Sequence, residues 1–81
     1  MRRHTLVETP DASAGLALVA RLHAVAPGAH VEPLEHGLWV IADVDLAQLP
    51  SALHIVQHWL HDQAIAEVRV RLSEREFRLA A

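Results

Sequence analysis

Eighty-one residues, 52% hydrophobic and 21% charged, make a single globular domain over residues 1–81. There is no cysteine, which excludes a disulfide framework and a thiolate metal site. The net charge of −3 disfavours nucleic acid and anionic membrane surfaces as partners, and no apolar run nears the roughly 18–20 residues that span a bilayer.

Met-Arg-Arg opens the chain as an export signal would, but residues 4–8 form no apolar segment behind it, so a cytoplasmic location is expected. Residues 4–8 alternate as a short strand. In Thr9-Pro10-Asp11, Thr9 can cap a helix, Pro10 suits its first turn and Asp11 suits the positive end of its dipole. The spacing of Ala12, Leu16, Val19, Ala20 and His23 predicts a helix to about residue 25, ended by Pro27-Gly28. Residues 29–34 form a strand that Pro33, lacking a ladder donor, confines to a sheet edge. Glu35-His36-Gly37 makes a tight hairpin in which Gly37 can take a positive φ.

Residues 38–44, Leu-Trp-Val-Ile-Ala-Asp-Val, are apolar at both parities, the signature of a strand covered on both faces. A connector over 45–49 leads to a second helix beginning at Pro50 or Ser51 and ending near Asp62 or Gln63. Residues 65–72 then alternate, with Ala66, Val68, Val70 and Leu72 on one face and Glu67, Arg69 and Arg71 on the other. Residues 73–81 are either a tail or a short fifth strand.

The order β-α-β-β-α-β predicts an α+β, ferredoxin-like fold: a four-stranded antiparallel sheet, both helices on one face, the first and third strands central. Placing Leu38, Val40, Ala42, Val44, Val68, Val70 and Leu72 toward the helices leaves Thr5, Val7, Trp39, Ile41, Asp43, Glu67, Arg69 and Arg71 on the open face. Val7, Trp39 and Ile41 would then form an exposed apolar patch beside Arg69 and Arg71, the residue mix of a protein-binding surface. Alternatively, the tail folds back so that Phe77 and Leu79 cover Trp39.

Over Thr9–Leu72 the chain resembles ACT-type regulatory domains, with Thr9-Pro10-Asp11 standing where those domains carry a Pro-Gly turn; that resemblance implies a dimer sensing a small ligand at its seam. Ala26-Pro27-Gly28-Ala29-His30-Val31, followed by a hairpin and an apolar strand, is similar to NapD-like cytoplasmic chaperones, which implies binding of a nitrate reductase signal peptide on the sheet.

Seven histidines are present, and protonating all of them moves the net charge from −3 to +4, so association should respond to pH near 6. His54, His58 and His61 fall within about 60° of one another on the second helix, opposite Leu53, Ile55, Val56, Trp59 and Leu60. His54 and His58 are at chelating spacing, but the three span about 10 Å of helix, so a site on them would need a ligand from elsewhere, Asp62 or His36. No Glu lies between them as in a zinc hydrolase, and a solvated polar face is the plainer reading, so no metal is assigned.

No Ser or Thr has an activating neighbourhood, three scattered glycines make no phosphate loop, and Asp43 and Asp45 lack a third acidic companion. Trp39 is the single aromatic that an RNA-binding sheet could use. The reading is a non-enzymatic, regulatory or accessory module without a cofactor, binding another protein or itself through Val7, Trp39, Ile41, Arg69 and Arg71. A ligand-sensing dimer and a metal-binding protein on the histidine face are the alternatives.

Overall fold

A computed structural model describes residues 2–81; Met1, the first residue of the Met-Arg-Arg opening, lies outside the described residues. The elements in order are β1 (Arg2–Thr9), α1 (Ala12–Leu22), β2 (His30–Leu34), β3 (Gly37–Asp45), a 3-10 turn (Leu46–Gln48), α2 (Leu49–Asp62), β4 (Glu67–Leu72) and β5 (Arg75–Ala80). The strands form one sheet in the order β2-β3-β1-β4-β5, every neighbouring pair antiparallel. The protein is thus α+β with a five-stranded sheet and two helices, not the four-stranded arrangement expected. The C-terminal residues are a full strand because Ser73-Glu74 is a two-residue loop, so Leu72 pairs with Arg75 and the ladder continues to Glu67 and Ala80.

Both helices lie over one face. Leu18 and Leu22 of α1, with Val56, Trp59 and Leu60 of α2, pack on Val7, Val40, Ala42, Val44, Val68 and Val70. The α1 stripe differs from the expected one. The buried positions are Ala14, Gly15, Leu18 and Leu22, whereas Leu16 is 61% exposed. Alanine is acceptable at either kind of position, so an alanine-rich helix carries little phase information.

Asp11, rather than Thr9, is the N-cap of α1. Its carboxylate accepts the Ala14 N–H at 2.7 Å, while the Thr9 hydroxyl donates to the Asp11 carbonyl at 3.0 Å. Helix and sheet approach closely at Gly15, where an added Cβ would stand 3.0 Å from Cγ2 of both Thr9 and Val31. The two helices are joined by Trp59, whose buried Nε1–H donates to the Ala14 carbonyl at 2.9 Å, and by an ion pair between Arg21 and Asp62 at 2.6 Å.

The β2–β3 hairpin turns at Glu35, not at Gly37. Glu35 has a φ of 54°, and no described glycine has a positive φ. Left-handed backbone is unfavourable for a residue with a Cβ, but a two-residue hairpin loop demands it, and Ser73 takes the same conformation, φ 57°, in the β4–β5 turn. Among the described residues, no helix is long and apolar enough to cross a membrane.

Candidate functional site

The open face of the sheet is set by the β1–β3 register. Val7 pairs with Val40 and Thr5 with Ala42, so Thr5 and Val7 point to the helices, and Val7 is 2% exposed within the main core. Val7 therefore does not belong to the open face. Leu6, opposite Ile41, takes that place. The parity was visible in β1 itself, since His4 and Glu8 share a side with Leu6 and charged residues belong to the solvated face. The same rule places Phe77 opposite Val70 and Leu79 opposite Val68, on the helix side. β5 extends the sheet sideways and does not fold over Trp39.

Leu6, Trp39 and Ile41, with Leu34 packed against them, form a second, smaller apolar cluster on the open face. Trp39 is only 1% exposed there, and what covers it is charged. The Arg69 and Arg71 guanidinium carbons lie 5.3 and 5.0 Å from its ring centre. Guanidinium planes stack on indole because the ring face is electron-rich and a guanidinium is weakly hydrated.

Each cover is anchored. Arg69 donates from its Nη2 to the Glu8 carboxylate at 2.9 Å. Arg71 bonds Glu35 through both terminal nitrogens, at 3.2 and 3.3 Å, and Glu76 through Nε at 2.9 Å. Beyond them His4 meets Asp43 at 3.0 Å, Arg78 meets Glu67 at 3.0 Å and His30 meets Glu32 at 3.4 Å. The strained Glu35 turn is what carries a carboxylate across from the β2–β3 corner to Arg71 on β4.

The hydrogen bond from Arg69 holds the Glu8 carboxyl below its usual range, and Arg71 does the same for Glu35. Reciprocally, Glu8 raises Arg69, and Glu35 with Glu76 raises Arg71. Of the residues assigned to this surface from sequence, Trp39, Ile41, Arg69 and Arg71 come together. Leu6, Glu8, Glu35 and Glu76 complete the arrangement. Glu8 and Glu35 could not be found by local spacing, because they lie 61 and 36 positions from their arginines, whereas Glu76 faces Arg71 across the β4–β5 hairpin only five positions away.

The histidine row is exposed along α2, with the His54 and His58 rings in edge contact at 4.5 Å between centres. Arg21 and Ile55 flank this pair, and His61 lies further along beside Gln57 and Ala81. Asp62 is engaged by Arg21, whose hydrogen bond lowers its carboxyl. Among the described residues, no three His, Asp or Glu side chains converge to hold a metal ion, and no buried side-chain polar atom lacks a hydrogen-bond partner. The chain matches no known protein family, no characterised protein and no solved structure.

Proposed function

We propose that this chain is a small, cytoplasmic, non-enzymatic accessory module that binds another protein through the open face of its sheet. Its first four strands are read as a ferredoxin-like unit extended by β5. The observation that carries the functional reading is the cluster of Leu6, Trp39 and Ile41 on the side without helices, sealed by two arginines instead of by protein core. An aromatic anchor beside arginines is the composition of a binding hot spot.

Recognition proceeds by exchange. Acidic groups of the partner compete with Glu8, Glu35 and Glu76 for Arg69 and Arg71. The guanidinium heads lift from the indole, and apolar side chains of the partner take their place over Trp39, Leu6 and Ile41. Each cation–π contact released is worth about 0.5–2 kcal/mol, small enough for a complementary surface to replace.

Trp39 is the wrong residue to replace in testing this, because truncating so buried an aromatic costs about 3–5 kcal/mol of stability. The Arg69→Gln/Arg71→Gln pair removes the charged covers and leaves Trp39 in place. The test is quantitative co-purification from the native host with the tagged chain, this double variant and a His54→Ala control on the opposite side. A partner retained by wild type and by the control but lost by the double variant supports the reading. Equal recovery on all three overturns it.

A further inference from the structure

We infer that β5 is a self-pairing edge: two copies of this chain join antiparallel along Arg75–Ala80, about a two-fold axis at Phe77, into one ten-stranded sheet. This interaction does not depend on the open-face reading.

The sheet has two free edges, β2 and β5. β2 is short and carries Pro33. The two-residue loop makes Leu34 and Gly37 a hydrogen-bonded pair, so position 33 turns its backbone outward, where proline offers no donor. That edge is blocked. β5 has no proline.

The orientation of the β5 backbone follows from its last bond. Ala81 N–H donates to the Ala66 carbonyl at 3.0 Å. Hydrogen-bonded pairs alternate along an antiparallel ladder, so Leu79, Phe77 and Arg75 turn their N–H and C=O groups toward β4. Glu76, Arg78 and Ala80 turn theirs outward. The Ala80 carbonyl is already met by the Gln57 side chain of α2 at 3.4 Å, which leaves Glu76 and Arg78 as the open stretch.

Charge then selects the register. Pairing about Phe77 sets Glu76 opposite Arg78 of the second copy, and Arg78 opposite its Glu76, joined through the backbone groups that point outward. Pairing about Arg78 opposes two arginines, and pairing about Glu76 opposes two glutamates, both unfavourable. On the helix side the same register brings the half-buried Phe77 rings of the two copies together. On the open face it links Arg71, Glu76, Arg78 and Glu67 into one ion-pair chain across the seam, since Glu76 already meets Arg71 and Arg78 already meets Glu67.

The experiment is sedimentation equilibrium over a concentration series, with circular dichroism to confirm folding. Wild type should show a monomer–dimer equilibrium. Glu76→Arg alone and Arg78→Glu alone should each be monomeric, because each opposes like charges to itself. Mixing these two variants should restore a dimer of one copy of each. The first variant is basic at both positions 76 and 78 and the second acidic at both, so opposite charges then meet at every facing pair. Arg78→Pro should also be monomeric while keeping its fold, because the N–H it removes points outward. A wild type that stays monomeric throughout, a dimer untouched by Arg78→Pro, or folded single variants that fail to pair on mixing would each overturn the proposal.

Discussion

Glu8 shows how much of this surface depends on single contacts between distant residues. Its carboxylate takes hydrogen bonds from Arg69 at both the side chain and the backbone nitrogen, which lie 61 positions further along the chain. Because the folded value of Glu8 is lowered, its contribution to stability is complete above the ordinary carboxylate value of 4.5 and is lost as pH falls through the lowered one. Glu35 and Asp62 are lowered in the same sense by Arg71 and Arg21, Asp62 from the lower aspartate value of 3.8. Replacing Glu8 with Gln should therefore reduce the urea midpoint at neutral pH. The two proteins should converge in acid, where wild-type Glu8 is itself protonated. A difference that persists unchanged at the acid end would show that Glu8 acts through shape and not through charge.

At the scale of elements, α1 comes close to β1 and β2 at Gly15. In an exposed helix Gly→Ala stabilises by about 1 kcal/mol. Here the new methyl would meet the Cγ2 methyls of Thr9 and Val31 at 3.0 Å, and both would have to give way together. Gly15→Ala should consequently lower the thermal midpoint, against the helix-propensity trend. Calorimetry showing a raised midpoint would mean that α1 can lift from the sheet.

Two helices and the first four strands were legible in the sequence because each has its own local signal: proline and glycine breaks, the two-faced run of β3 and the alternation of β4. β5 was not, because its alternation reads as well for a tail as for a strand. What was harder to read was phase. In β1 the polar His4 and Glu8 put Thr5 and Val7 on the covered side, and pairing with β3 makes that the side of Val40 and Ala42. In α1 the many alanines concealed which stripe is buried. The candidate surface was half legible for the same reason. Trp39, Ile41, Arg69 and Arg71 announce themselves within their own strands, whereas the carboxylates that hold the arginines arrive from β1, a hairpin corner and β5.

Over the whole molecule, β3 carries apolar side chains to both faces of the sheet. Val40 belongs to the core beneath the helices, and Trp39, its immediate neighbour, belongs to the cluster beneath the arginines. Both clusters draw on the backbone of β3, so loss of that strand dismantles both, and the two are expected to lose structure in one transition.

Trp39 and Trp59 stand on opposite sides of that strand, and the chain contains no other tryptophan and no tyrosine. Each indole is thus a private optical reporter, one for each side of the sheet. With Trp59→Phe the emission belongs to the guanidinium-capped ring alone, and with Trp39→Phe to the ring that bonds Ala14. The two fluorescence signals should fade together, each at the midpoint that circular dichroism gives for the same variant. If the Trp39 signal fades first instead, the arginine cover is a separately melting layer. On addition of a partner that works by displacing the arginines, the Trp39 emission should change while Trp59 stays silent, so a spectrum would reveal which side of the molecule had been met.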